Sequence, residues 1–544
     1  MYQPDPQSIT FSTLIHDIDK GIIKIPQFQR DFVWSLEQSA KLIDSIIKGY
    51  PIGTFILWES QEKLRSVRNI GGASLPDTPP GSMVQYVLDG QQRMTSLYAS
   101  LKGLQVQRDK KSDDFSGIYL DLNANEEETI IITNIEGRNE TDVISLRDLL
   151  HGGISVLAAY PTTMYQKLEE YKNRLNTYRF STILLRQASI DVATEVFTRL
   201  NVGGKSLTVF EIMVAKTYDA DQDFDLAEKF EKLINRLEHV DYETISDSTV
   251  LQTISILLVG ECARKNILKL NKQSFIDIWE KAVDAIERAV DYFRDYFRIP
   301  VSKILPYNAL VVPFSYFFYH HPNKPVNEMK KYLDDFFWRV SLSERYSSGV
   351  ETKLAQDIKR IDQIINSELP RYDFQVDTSV ENIKNNGWFS ANRSFIKAIL
   401  CLMAYQEPKS FNDNSIVRIN NDWLKQANSR NYHHFFPKAF LQKKGEDGFF
   451  INHIVNITIV DAFLNKNRIR AQAPSKYMKA FEKENKDLDK AMKTHLIDDL
   501  NSYGIWNDDY DAFFDKRAEK ISQELEKRII PKKIGAQKGL RSEG

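Results

Sequence analysis

The 544-residue chain is 42% hydrophobic, 27% charged and 11% aromatic, which excludes wholesale disorder and exceeds what one hydrophobic core holds, so about three domains are expected. A formal net charge of −2 excludes a globally basic nucleic-acid binder and leaves any such surface to a local patch. The two cysteines, Cys262 and Cys401, lie far apart in apolar surroundings, which excludes a disulfide framework or cysteine-ligated zinc and fits a reducing cytoplasm.

Residues 1–215 alternate short apolar runs with helical periodicity. "YPIGTFILWE", "MVQYVLD", "SGIYLDLN" and "RFSTILLR" predict strands between helices, hence a mixed α/β domain. "SVRNIGGASLPDTPPGS" (66–82), rich in Gly, Pro and Ser, predicts a mobile surface loop. "VLDGQQRMTSLYASL" (87–101) runs a strand into Asp89-Gly90 and out into a helix whose apolar face is Met94, Leu97, Tyr98 and Leu101. Unsatisfied N–H groups at that helix start favour an anion, Gly90 lets a phosphate approach the backbone, and Arg93 can reach round to grip it. Asp89 either holds a divalent cation against that phosphate or caps the helix. "GGKS" (203–206) imitates the end of a Walker loop, but Arg199 stands where the pattern needs glycine, which excludes a P-loop.

From 216 to 378 the strand signal fades. Phe224, Phe230, Leu233, Ile234 and Leu237, then Ile286, Val290, Phe293 and Phe297, predict a helical domain. The rings of "DYFRDYFRIP" (291–300) can stack bases, but their helical spacing favours core packing. The doublet His320-His321 predicts a helix end near a proline. Residues 379–530 form a third domain, opening with the helix-like "NRSFIKAILCLMAYQ", and 531–544 a basic, flexible tail. "ISILLVGECA" is too short to span a bilayer and "MYQPDPQSIT" lacks the features of a signal peptide, so a cytoplasmic protein with no membrane partner is expected.

Of nine histidines, His433, His434 and His453 cluster in the third region. A metal-dependent nuclease needs a neutral histidine to deprotonate water, a group that holds the imidazole in register, and a divalent cation on the scissile phosphate. Between 425 and 479 there are ten Lys or Arg and three Asp or Glu, a local excess that attracts phosphates. Neighbours on a regular strand point to opposite faces, so His433 and His434 share a site only where the strand ends or twists. His453 is expected to be a surface or structural residue.

"IPQFQRDFVW" (25–34) with "DGQQRMTSL" (89–97), followed by "VFTRLNVGGKSLTVFEI" (196–212), resembles the N-terminal domain of GmrSD-type modification-dependent restriction endonucleases over roughly residues 8–215. The resemblance implies a ParB/sulfiredoxin-like fold and a nucleoside triphosphate site lined by Gln29, Arg30, Asp89, Gly90, Gln91, Gln92, Arg93 and Thr95, with Asn201 nearby. "HHFFP", "NITIVDAFLNKN" and "PSKY" resemble the HNH (ββα-metal) nuclease motif found at the C-terminal end of such proteins. That likeness implies His434 as general base, Asn456 orienting it, and His433 and Asn465 as ligands of Mg²⁺ or Mn²⁺. Lys466 or Arg468 would contact the DNA phosphate and steady the departing oxygen. Many HNH sites carry Asp where this chain has His433, and a neutral ligand favours softer ions.

The expectation is an α+β multidomain protein: a ParB/sulfiredoxin-like α/β domain, a helical middle and an HNH nuclease domain. The implied function is a nucleotide-regulated, metal-dependent DNA endonuclease in defence against phage DNA, sensing base or phosphorothioate modification as the SspE-like members do. A homodimer is the default assembly. Two alternatives stand beside it: a nucleotide-dependent DNA-binding switch whose HNH-like domain is structural, and a nucleotide hydrolase acting on a small molecule, with turnover unaffected by DNA.

Overall fold

The computed structural model describes residues 4–531 except 27–28, 30–31, 62–63, 65–68, 71–72, 109–110, 126, 201–207, 220, 420–431 and 462–463. The chain forms two compact units, Met1–Leu226 and Ala227–Gly544.

The first unit is built on a mixed five-stranded sheet. Its strands are β1 (Asp5–Thr10), β2 (Ile23–Lys24), β3 (Thr54–Ser60), β4 (Val84–Asp89) and β5 (Arg179–Arg186), in the order β1-β5-β3-β4-β2. β5 runs parallel to β3 and β2 parallel to β4, while β1 on β5 and β4 on β3 are antiparallel. The central strands read as near-continuous apolar runs because both faces are covered: Val84, Tyr86, Val87 and Leu88 of β4, and Phe55, Leu57 and Trp58 of β3, are all buried. Strands expected from "YPIGTFILWE", "MVQYVLD" and "RFSTILLR" are β3, β4 and β5, and "SGIYLDLN" supplies Tyr119–Asp121, the middle of a separate three-stranded sheet. Helix Leu36–Ile47 starts on a Ser35/Gln38 capping box, and helix α1 (Gln91–Lys102) leaves β4 after the single residue Gly90.

The described residues of the loop expected at 66–82 include regular pairing. They hold a two-stranded hairpin, Asn69–Ile70 on Ala73–Ser74, and the buried Thr78 hydroxyl donates to Gly21 O at 2.6 Å, which ties the segment to the turn before β2.

The second unit is mainly helical. In α2 (Lys272–Asp295), capped by Asn271, the residues Phe275, Trp279, Val283, Ile286, Val290 and Phe293 recur at helical spacing and are buried. The core reading of "DYFRDYFRIP" holds for Phe293 and Phe297, the latter stacked on Phe337 with centroids 4.0 Å apart. Phe337 lies on α3 (Asn327–Leu342). His320 ends helix Val311–His320, as expected. Helix α4 (Ser394–Tyr405) is apolar apart from Ser394 and Lys397 and buries nine of its twelve residues. Residues 227–378 and 379–530, from regions expected as separate domains, meet in this unit. Tyr307 donates to Ser394 Oγ at 2.8 Å, and Arg339 donates to Ile530 O at 2.7 Å.

Near its end the unit carries a short hairpin, β6 (Tyr432–His434) antiparallel to β7 (Ile457–Ile459), and helix α5 (Tyr510–Glu526). Among the described residues no helix is long and apolar enough to cross a membrane.

Candidate functional site

The first cluster sits where β4 turns into α1. Gly90 has φ +92°, a conformation that costs a side-chain-bearing residue strain, and a Cβ there would meet the Phe55 ring at 2.5 Å. The glycine therefore serves the packing of Phe55 on that side. Asp89 does not cap the helix, since Gly90 is the N-cap residue and makes no side-chain bond. Arg93 instead folds back: Nη1 donates to Ile52 O at 2.7 Å, and Nη2 to Thr54 O at 3.0 Å and Asp89 Oδ2 at 3.1 Å. Gly53, φ +89°, makes room for it, because a Cβ there would stand 2.3 Å from Arg93 Nη1.

Gln29 donates to Val87 O at 2.8 Å and Leu88 O at 3.1 Å, closing the loop after β2 onto the end of β4. Gln92 accepts from Val33 N at 2.8 Å and donates to Gln91 Oε1 at 2.6 Å. Gln91, Gln92 and Thr95 are buried in the first turns of α1, and Thr95 Oγ1 is enclosed without a hydrogen-bond partner. Ser96 and Ser100 Oγ on the same helix are enclosed in the same way. Arg30 and Asn201 lie outside the described residues.

The second cluster is the β6–β7 hairpin. His433 pairs with Thr458 and His434 with Ile457, so the strand is regular across the doublet and sends the two rings apart. His433 is 2% exposed and lies among Phe411, Phe435 and Tyr477, with Nδ1 2.8 Å from Thr458 Oγ1. Its Nε2 is enclosed without a partner, and burial pushes its pKa well below the usual imidazole range.

His434 is half-buried, and its Nε2 lies 3.2 Å from Asn452 Oδ1. Asn452 Nδ2 donates to Phe389 O at 3.2 Å, which fixes the amide so that its oxygen faces the imidazole. The oxygen can only accept, so Nε2 carries the proton and the lone pair of the neutral ring is on Nδ1. Burial, then the nearby Lys438 charge, pushes the His434 pKa down to about 4 against the Asn452 hydrogen bond, which raises it. The ring is neutral at pH 7 and able to take a proton.

Asn456, expected to orient the base, works on the backbone instead. Its Oδ1 accepts from Phe436 N at 2.8 Å, and its Nδ2 donates to Phe436 O at 3.0 Å and Ile451 O at 3.1 Å. It thereby fixes the chain just after His434, while Asn452, which sequence reasoning missed, meets the ring. Asn465 stands in a short π-helical turn, Leu464–Ile469, with its N–H directed to Asp461 O at 3.2 Å. Arg468 forms a bidentate pair with Glu484 at 2.7 and 2.8 Å and covers the Phe481 ring. The Lys466 side chain lies outside the described residues.

Two buried groups hold the hairpin from behind. His453 is fully buried, accepts from Val455 N at 3.1 Å and packs so closely on Gly387 that a Cβ there would meet its ring at 2.1 Å. Arg517, also fully buried, donates to Val455 O and to His495 O. His453 is thus structural and not a surface residue.

Of the two ligands that the resemblance implies for the divalent ion, His433 is turned into the core. Among the described residues no group of three His, Cys, Asp or Glu side chains could hold a metal, and the nitrogens of His433 face Thr458 and the aromatic core.

Comparison with known proteins bears on both units. The chain aligns with an uncharacterized protein of Methanocaldococcus jannaschii at 24% identity, over 96% of this chain and 97% of that one, so the two share their whole layout. Residues 11–218, the strand–turn–helix cluster among them, match the family model of the GmrSD restriction endonuclease N-terminal domain.

Proposed function

We propose that the protein is a DNA endonuclease of restriction type, in which the first unit binds a nucleoside triphosphate and the hairpin cuts. The observation that carries the nuclease reading is the His434–Asn452 pair: a neutral imidazole, partly exposed, with one nitrogen held and the other left as a base. Water attacking the phosphorus of a phosphodiester gives its proton to His434 Nδ1, the new P–O bond forms, and the bond to the departing sugar oxygen breaks. In this reading Lys438, whose charge lowers the His434 pKa, holds the scissile phosphate. The likeness of residues 11–218 to the N-terminal domain of GmrSD restriction endonucleases supports a role in defence. Triphosphate, divalent-ion and modification dependence are part of the same proposal, and a homodimer remains its default assembly.

The test is cleavage of matched plasmids, unmodified, base-modified and phosphorothioate-modified, with each nucleoside triphosphate and with Mg²⁺, Mn²⁺ or chelator. Cutting that depends on one nucleotide and one DNA names the trigger. One observation favours a second reading, a DNA-binding switch with a structural hairpin: His433 faces the core. No cutting of any substrate, with DNA-stimulated triphosphate hydrolysis, selects that reading.

A further inference from the structure

A cavity of about 580 Å³ opens in the second unit, lined by residues from the end of α2, the first turns of α3, Tyr405 and the segment after α5. That is the size of an ordinary small-molecule site, about 300–1,000 Å³. None of the hairpin residues takes part in it.

Its lining combines rings and cations. Lys330, Lys331, Lys527 and Arg528 face a single carboxylate, Asp334. Lys331 pairs with Glu328 at 3.8 Å and Lys527 with Glu524 at 2.7 Å. Lys330 and Arg528 form no ion pair among the described residues and lie over rings. Lys330 Nζ is 4.5 Å from the Tyr296 centroid, and the Arg528 guanidinium 4.4 Å from that of Tyr405 and 5.3 Å from that of Trp338. Asp334, whose Oδ2 accepts the Tyr296 hydroxyl, is raised by burial to about 6 against the Lys330 and Arg528 charges, so it is mostly ionised at pH 7 and offsets one of the four positive charges.

Two further features point to an anion. The cavity takes in the start of α3, a 16-residue helix whose N-cap, Val326, offers no side-chain acceptor to the first-turn N–H groups. Asn327, at that start, holds φ +50°, an uncommon conformation for a residue other than glycine. Arg528 Nε, a donor, is enclosed without a hydrogen-bond partner among the described residues.

We propose that this cavity binds a nucleotide, its phosphate between the first turn of α3, Lys330 and Arg528, and its base in the remaining volume, which Tyr296, Tyr405 and Ile529 line. Phosphate alone would leave most of the volume and all of the aromatic wall unused. The shared chemistry, a base beside a phosphate, is met by a free nucleotide or by the terminal nucleotide of a DNA strand. This site lies in a different unit from the strand–turn–helix cluster and is argued independently of the endonuclease reading.

The test is calorimetric titration of the full-length protein with a deoxynucleoside 5′-monophosphate, the matching nucleoside, inorganic phosphate, and a single-stranded oligonucleotide with and without a 5′-phosphate. Lys330→Gln and Arg528→Gln should each weaken monophosphate binding at least tenfold, and Lys330→Arg should retain it. Lys330 is partly exposed, so its substitution leaves the fold intact by circular dichroism even if Arg528→Gln does not. The nucleoside and inorganic phosphate should each bind at least tenfold more weakly than the monophosphate. Tighter binding of the phosphorylated oligonucleotide assigns the site to a strand end, and weaker binding assigns it to a free nucleotide. Monophosphate binding that is absent or unchanged in Lys330→Gln, or matched by nucleoside or inorganic phosphate, overturns the proposal.

Discussion

Asn452 Oδ1 lies 3.2 Å from His434 Nε2, and the amide that carries it is held by Phe389 O. The tautomer of the proposed base is therefore set by a residue 18 positions away, in the turn before the second strand. Asn452→Ala frees the ring and should lower cleavage by about 10–100-fold, part of the roughly 10²–10⁴-fold that a positioned general base supplies. Asn452→Asp places a negative charge beside the imidazole and should move the acid limb of the pH–rate profile to higher pH. A profile identical to wild type would show that the contact plays no part in catalysis.

His433 should behave as a core residue. His433→Ala opens a gap among Phe411, Phe435 and Tyr477 and removes the bond to Thr458, so urea denaturation should show a loss of about 2–4 kcal/mol. A variant with wild-type stability but lost Mn²⁺ binding would instead return His433 to the metal-ligand role implied by the resemblance.

Burial depresses His434, His453 and His495 to about 4 and also pushes His433 well below its ordinary value. In the unfolded chain these groups protonate near their ordinary value of 6.5. Between those limits the unfolded state binds more protons, so stability is full above about pH 6.5 and falls as pH drops toward 4. Near-UV circular dichroism from pH 7 to 4 should show the aromatic signal of the second unit becoming progressively easier to melt. A melting temperature flat across that window would mean the histidines are not buried neutral.

Arg93 is committed to the carbonyls of Ile52 and Thr54, and Gly53 gives it space. Gly53→Ala, at positive φ and against the guanidinium, should destabilise the fold by about 1–3 kcal/mol. Arg93→Lys cannot make the forked contact and should lower the melting temperature as well as any nucleotide affinity. Loss of nucleotide binding with unchanged stability would show instead that Arg93 grips the phosphate.

Much of the first unit was legible because β3, β4 and β5 are long apolar runs and the turn at Asp89-Gly90 carries the residue its φ requires. The partner of Arg93 was not, since it is backbone at the start of a strand that becomes adjacent only through the antiparallel pairing of β3 with β4. The opposite facing of His433 and His434 follows from strand geometry alone. The resemblance nonetheless implied one shared site for both. Asn452 escaped notice because its place depends on Phe389, which donates its N–H to Asn452 O at 2.9 Å, a contact between segments far apart in sequence. Asn456 was noticed as important, but the role it takes, bridging both backbone groups of Phe436, leaves no mark in the sequence.

The most direct test of the account is single-turnover cleavage of plasmid DNA by wild type and His434→Ala, with fold followed by circular dichroism and triphosphate binding by titration. The account predicts that His434→Ala abolishes cutting while fold and triphosphate binding are unchanged. Cutting retained in that variant would contradict it, because no other imidazole in the hairpin is both neutral and open to solvent among the described residues.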